Sequence, residues 1–323
     1  MYKDKICMMT SCDGGLMRQL PVQLMAIADN MAGRDVHIYL FHDGSAECQF
    51  AALRSFCQKL DNISLHSVII RQKEDYDELA RMGGGWSGEA YYGLCAHEYL
   101  PGSLDRIMYL DAGDTLVLRD PSDYYFADFG DNVMTASCTH VSFNSSGEVF
   151  FFEADDIYNL NYLPTIVGGI FNSGSYVINL EKMREISYHT ADYLALGRAL
   201  AEVQKKDENV YFGDQGLLSA AFVGSINYYG KEKAIEAKWL YEPYNFCLGQ
   251  FNLRPAKAGY EPYILHFSGT PMKPWQARFP IFSPEFQDDG NLRSLDELSL
   301  GQAEYFYLWH EYALKASRLM GEI

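Results

Sequence analysis

Apolar positions along the 323-residue chain switch repeatedly between two spacings. Short apolar runs at residues 6–10 (ICMMT), 36–41 (VHIYLF), 64–70 (SLHSVII) and 106–110 (RIMYL) read as strands. Between them, Leu20, Leu24, Ile27, Ala28 and Met31 recur at helical spacing. The turn HDGS leads into a second helix carrying Ala51, Leu53, Phe56 and Leu60, and residues 88–99 read as a third. This alternation predicts an α/β fold, a mostly parallel sheet flanked by helices. In the second half, 175–178 reads as a strand, 180–204 as one helix, and 214–222 as a helix opening on Asp214. Residues 227–262, rich in Tyr, Pro and Gly, read as loops over a site. Residues 299–320 predict an amphipathic C-terminal helix packing through Leu300, Ala303, Phe306, Tyr307, Trp309, His310, Ala313 and Leu314. No linker, repeat or low-complexity stretch interrupts the pattern, so residues 1–323 are expected to form one domain.

Charge narrows the function. A net charge of −17 with no basic stripe argues against nucleic acid or an anionic membrane as partner. An anionic ligand would therefore need local cations, and a bound metal is the simplest supply. The seven cysteines are scattered, with no Cys-x-x-Cys pair, as expected for reduced thiols in a cytoplasmic protein. The opening MYKDKICMMT is too short and polar for a signal peptide, and no apolar run approaches the roughly 18 residues of a membrane span. An aromatic share of 15% suits pockets lined by rings.

Chemistry enters where strands end. Ligands in open α/β sheets bind at the carboxyl ends of strands, which puts Asp13 and Asp111 on one rim. The run RIMYLDAGDTLV places Asp111 and Asp114 just past a buried strand; alone, this D-x-x-D favours a turn or a cap. Asn172-Ser173-Gly174 is a Gly-bearing turn into the next strand, equally an ordinary hairpin turn or a close approach to a ligand. Asp214 and Gln215 open a helix, and an N-cap is the local reading. The run YILHFSGTPMKPW tilts the balance, because a strand delivers His266, a turn carries Gly269, and Lys273 follows. Two carboxylates, one imidazole and one lysine describe a metal–diphosphate site. The first turn, SCDGGLM, lacks the G-x-G-x-x-G spacing of a nicotinamide-binding fold.

YLDAGDTLV, FNSGSYVINL, DQGLL and HFSGTPMKPW, in that order over residues 5–278, resemble glycosyltransferase family 8, and the terminal YLWHEYAL is similar to the family's usual ending. The resemblance implies the GT-A nucleotide-diphospho-sugar transferase fold and a retaining hexosyltransferase. It would move glucose or galactose from a UDP-sugar donor to a saccharide acceptor with Mn2+ or Mg2+. It implies Asp111, Asp114 and His266 as metal ligands, and Gly269 and Lys273 as contacts to the diphosphate. It implies Ser11 and Asp13 near the uracil, and Asn172, Asp214 and Gln215 along the sugar and acceptor, Gln215 beneath the anomeric carbon. The chain departs from the family pattern at several points. Its acid motif is one residue longer than D-x-D, and one extra residue separates Gly269 from Lys273. Gly93 stands where an arginine is common, Leu16 replaces an aromatic, and Gly15 replaces an asparagine. These changes leave a second expectation, a degenerate member that binds a nucleotide-sugar or glycan and transfers little.

Overall fold

A computed structural model describes residues 5–12, 14–45, 47–83, 86–137, 142–143, 149–150, 171–204, 213–222, 224–229, 244–249, 262–278 and 292–321. The first part runs β1 (Lys5–Ser11), α1 (Leu20–Asn30), β2 (Asp35–His42), α2 (Glu47–Cys57), β3 (Ile63–Ile69) and α3 (Lys73–Met82). A 3-10 stretch, Gly88–Cys95, leads into α4 (Ala96–Tyr99), β4 (Arg106–Leu110), β5 (Thr115–Val117), α5 (Ser122–Tyr125) and β6 (Met134–Ser137). The short strands β7 (Ser142–Phe143) and β8 (Val149–Phe150) pair with each other. The remainder comprises β9 (Ser175–Asn179), α6 (Leu180–Ile186), α7 (Thr190–Gln204), α8 (Gly213–Ala221), β10 (Ile226–Tyr229), β11 (Phe246–Cys247), β12 (Ile264–His266) and α9 (Leu300–Met320).

Among the described residues, seven strands form the main sheet in the order β10-β6-β9-β4-β1-β2-β3. Only β9 runs against its neighbours β4 and β6; the other pairings are parallel. The central strands are apolar throughout because helices cover both faces. Along β2, Ile38 and Leu40 point into a core with α1, α2 and α9, while Tyr39 and Phe41 point into a second core with α3, α7 and α8. A smaller sheet, β11-β12-β5, stands beside the main one. It matters most for the site, because β12 folds antiparallel onto β5 and brings residues near 266 to residues near 115.

The elements differ from the sequence pattern in several places. Within 227–262, read as loops, β10 and β11 are strands, and residues 230–243 and 250–261 lie outside the described residues. Elements α3, β5 and β6 fall where the pattern marked none. Residues 88–99 are mostly 3-10 rather than α-helix. A Cβ on Gly93 would lie 3.2 Å from Met9 Cε and from Tyr109 Cδ2, so this segment presses directly on the sheet. The stretch 180–204 is two helices. Ser187, at φ 52°, closes α6 in the left-handed conformation, and Asp192 Oδ2 accepts a hydrogen bond from the His189 backbone N–H to open α7. In α9, Leu300 and Tyr307 face solvent, while Tyr312, Ala316 and Ser317 are buried with Phe306, Trp309, His310 and Ala313.

Helix α9 is tied into the fold at both ends. Ser299 Oγ accepts from Gln302 N while Gln302 Oε1 accepts from Ser299 N, and Gly321, at φ 85°, caps the other end. Asn30 of α1 donates to Tyr312 Oη at 2.6 Å. Trp309 is fully buried beside Trp275, yet its indole N–H has no partner among the described residues. Trp309→Ala should therefore lower the unfolding free energy by about 3–5 kcal/mol. Trp309→Phe keeps a ring and removes the unpaired N–H, and should cost less than about 1.5 kcal/mol. Urea melts of both variants check this, and equal losses would mean that ring packing at 309 is not the stabilising element.

Candidate active site

The main sheet ends where chemistry can begin. Strand β9 pairs Ser175 with Leu110, and the Asp111 backbone N–H donates to Gly174 O at 3.1 Å. This lays the Asn172-Ser173-Gly174 turn against the first carboxylate. On the other side β12 pairs His266 with Thr115, and Phe267 N–H donates to Asp114 O at 2.9 Å. The two carboxylates thus stand between two strands from far along the chain.

The loop between them is shaped by a glycine and a glutamine. Gly113 takes φ 66°, a conformation that costs a residue with a side chain, and an added Cβ would lie 2.8 Å from Gln19 Cβ. Buried Gln23, on α1, clasps the loop: its amide nitrogen donates to Asp111 O at 2.9 Å and Thr115 Oγ1 at 2.6 Å, and its oxygen accepts from Gly113 N at 3.2 Å. With the extra residue turned out in this way, both side chains converge. His266 Nε2 lies 3.2 Å from Asp111 Oδ2 and 3.5 Å from Asp114 Oδ2. One ligand atom from each of the three residues falls within 4.8 Å of the others. Side-chain exposure grades inward from Asp111 at 33% through Asp114 at 15% to His266 at 3%.

Two cations offset the paired acids. Lys273 Nζ sits 2.5 Å from Asp114 Oδ2 and also donates to Phe267 O at 3.0 Å. Burial pushes the Asp114 carboxyl up, but Lys273 and His266 pull it below the usual range, to about 2. Burial likewise pushes the His266 imidazole down, and the two carboxylates override it, holding the ring well above its ordinary value. Asp114 Oδ1 is nevertheless buried without a hydrogen-bond partner among the described residues. A carboxylate oxygen left bare beside a second carboxylate and a ring nitrogen is the donor set a divalent cation needs, so these residues fit such an ion.

The His266 ring is fixed from behind. Its Nδ1 lies 3.1 Å from Asn245 Oδ1, while Asn245 Nδ2 donates to Asn172 O at 2.7 Å and Asn172 Oδ1 at 3.1 Å. With Nδ1–H donating to Asn245, Nε2 is the nitrogen that faces the acids. It carries a proton beside the two carboxylates and becomes a lone-pair donor only where a cation displaces that proton. Gly174 is required by the same ring, since a Cβ there would fall 2.2 Å from His266 Cε1. Gly269, at φ 69°, turns the chain toward Lys273, and Gly249 presses so close that an added Cβ would lie 2.2 Å from Gly269 C.

Beside this cluster, α8 delivers Asp214 and Gln215, both buried. Burial raises the Asp214 carboxyl to about 7 with help from the charge of Asp111, against a lowering hydrogen bond from Ser173. Gln215 Oε1 accepts from Ser173 N at 3.2 Å, and Asn172 Oδ1 accepts from Gly174 N at 2.9 Å. The turn at 172–174 therefore links the helix start to the acids. Ser11 is buried with its hydroxyl 3.5 Å from Tyr109 Oη, and the Tyr109 ring stacks on Tyr176 at 4.9 Å. Asp13 lies outside the described residues. Asn245, Gln23 and Gly249 support the site without any spacing in the sequence to mark them, whereas Gly174 belongs to the turn already read as permitting a close approach. A cleft of about 1000 Å³ opens near Lys5, Arg34, Asp105 and Arg106, at the amino ends of β1 and β4. It is at the opposite end of these strands from Asp111.

The similarity to known proteins follows this geometry. The family described as glycosyl transferase family 8 matches residues 7–278. The fold is similar to a galactosyltransferase, LgtC, crystallised in complex with donor and acceptor sugar analogs, at 18% identity and TM-score 0.61, over 95% of this chain and 96% of that one. It is also similar to the glycosyltransferase GlyE of Streptococcus pneumoniae, at 18% identity and TM-score 0.57, where 98% of this chain spans 63% of that one. No curated protein matches the chain by sequence. The mixed α/β sheet is that of the GT-A glycosyltransferases, and the chain belongs to glycosyltransferase family 8.

Proposed function

We propose that the protein transfers a glucosyl or galactosyl group from a UDP-sugar to a saccharide acceptor, with retention at the anomeric carbon and a divalent cation, Mn2+ or Mg2+. The observation that carries the reading is the convergence of Asp111 Oδ2 and Asp114 Oδ2 on His266 Nε2, with Asp114 Oδ1 buried and without a hydrogen-bond partner among the described residues. Asp111, Asp114 and His266 would hold the ion, and an imidazole beside two carboxylates favours Mn2+ over Ca2+. A bound cation would supply fixed positive charge to the departing diphosphate. Lys273 and the backbone at Gly269 add positive charge and N–H donors on the same side. Asn172, Asp214 and Gln215 would line the sugar and acceptor, and Ser11 would face the base, a role the family resemblance extends to Asp13. Gln215 offers an amide oxygen, a poor nucleophile, so retention fits a front-face, ion-pair-like substitution better than a covalent intermediate. Cys7, Cys48, Cys57 and Cys95 are free thiols, which suits a reducing compartment such as the cytoplasm. A second reading, nucleotide-sugar binding with little transfer, is supported by Gly93 in place of the arginine common there; an added Cβ would lie 3.2 Å from the Met9 and Tyr109 side chains, which would have to give for a larger residue.

Nucleotide binding should depend on the metal. UDP at about a hundred times its dissociation constant should stabilise the protein by roughly 2.7 kcal/mol with Mn2+ present, and little with EDTA. A thermal melt checks this; equal stabilisation by NAD and none by UDP would remove the donor assignment. UDP-sugar hydrolysis or transfer above background separates the first reading from the second.

Removing the acceptor behind His266 should weaken the metal site without touching a ligand. Asn245→Leu should lower Mn2+ affinity about 10–100-fold, because the ring loses the bond that sets its tautomer. Unchanged Mn2+ affinity, read by titration calorimetry on a variant that still melts cooperatively, would mean that His266 does not bind the ion through Nε2.

Asp214 gives a pH signature. Its carboxyl is raised in the folded state to about 7, so the folded protein holds a proton that the unfolded chain releases near pH 4. That contribution is complete below the unfolded value and is lost as pH rises through about 7. In EDTA, Asp214→Asn should therefore gain on the wild type by about 2–3 kcal/mol between pH 5 and pH 8. A pH-independent difference between the two proteins in urea melts would place Asp214 in a wetter setting than its burial implies.

A further inference from the structure

A second cluster of metal-ligating side chains lies outside the site built on Asp111. His97 and Glu98 sit on α4, and His189 precedes α7, at the break that divides the 180–204 stretch into two helices. His189 Nδ1 lies 2.8 Å from Glu98 Oε1, and the His97 and His189 rings stand 6.1 Å apart between centroids. One ligand atom from each of the three side chains lies within 4.8 Å of the other two. A tetrahedral ion with bonds of about 2.0–2.1 Å needs its ligand atoms roughly 3.4 Å apart, so modest side-chain rotation closes the set.

The independent observation is His97 itself. It is 7% exposed, and neither ring nitrogen has a hydrogen-bond partner among the described residues. A neutral imidazole has one N–H to donate and one lone pair to fill, and burying both unmet is costly. Most buried histidines answer this with a carbonyl, hydroxyl or carboxylate, as His310 does with Pro274 O. Around His97 the groups at hand are instead another imidazole and a carboxylate, both partly open to solvent, with Glu98 24% and His189 56% exposed. Burial pushes the His97 ring toward its neutral form, the form that ligates. Arg184, the nearby cation, donates to the carbonyls of Pro101 and Leu104, while Glu98 pairs with His189.

We propose that His97, Glu98 and His189 form a second divalent-cation site, distinct from the acid pair, that takes Zn2+ and pins α4 to the start of α7. Two imidazoles and one carboxylate match zinc and its late first-row neighbours rather than Mg2+ or Ca2+. Three protein ligands leave a fourth position for water. The site would cross-link segments 91 residues apart in sequence, at the layer where α7 packs against α8. Its role is structural bracing of the layer that carries Asp214 and Gln215.

The test uses the full, untagged chain and Zn2+ alone as the probe. Asp111→Asn weakens the first site, and Zn2+ binding by that variant is then measured with calorimetry and metal analysis after dialysis. One equivalent should remain bound, and adding His189→Ala, an exposed position, should lower its affinity at least tenfold. Glu98→Gln in the same background should weaken it too, and gives a second route if His189→Ala misfolds. Co2+ substituted for Zn2+ should give the intense visible bands of a four-coordinate ion, absent after His189→Ala. No Zn2+ retained by Asp111→Asn, or binding indifferent to both His189→Ala and Glu98→Gln, would overturn the proposal. Neither outcome bears on the donor reading, which is tested through UDP and Mn2+.

Discussion

Two carboxylates held beside one ring nitrogen repel each other, and the structure around residue 111 is arranged to make that tolerable. Asp114 is the critical member, because it is more buried than Asp111 and has one oxygen with no partner among the described residues. Removing charge from water costs several kcal/mol unless opposite charge stands close. Here that charge is Lys273 at 2.5 Å and His266 at 3.5 Å, both delivered by the segment after β12 or its last residue. The small sheet exists in this setting to make that delivery. Its antiparallel pairing of β12 with β5 fixes which residues meet, and the close contact of Gly249 with Gly269 lets the turn come near enough.

Much of this was legible in the sequence, for definite reasons. Strands β1, β2 and β4 are apolar without alternation, which only a doubly covered parallel sheet explains, and their ends pointed to the rim. The rotation of the 111–114 loop was foreseeable from Gly113, since a glycine between two acids permits the φ of 66° that turns both inward. The break at Ser187 was not, because a serine in the left-handed conformation carries no mark and the apolar spacing runs across it. The exposed Leu300 and Tyr307 were missed for a related reason: an amphipathic pattern gives a face, but the neighbours decide how far it turns. Asn245 was invisible because its role depends on two partners, 73 and 21 residues away, that only the fold brings to it.

The tyrosines show the same division of labour. The high aromatic content suggested ring-lined pockets, yet Tyr109 and Tyr176 stack beneath the acids in the core rather than at the mouth. Their phenols are pushed well above the ordinary range by burial and by the charges of Asp111 and Asp214, so they stay neutral and serve as a dry floor. A dry floor strengthens every charge interaction above it. The same feature accounts for Asp214, whose carboxyl, beside that floor, rises to about 7.

The separation of 159 residues between Asp114 and Lys273 has a consequence for how the chain comes into being. Synthesis proceeds from the amino end, and β1 to β4 are complete while the segment 262–278 is still unmade. During that interval the acid pair stands without its imidazole and its ammonium, and like charges at a strand end hold the rim open and hydrated. The closing contact is therefore of long range and is among the last to form, as expected for contacts of high sequence separation. A chain that stops short of Lys273 keeps both acids and most of the sheet but never acquires the charge that lets Asp114 be buried. Synthesis through Lys273 and the neutralisation of the acid pair become one event.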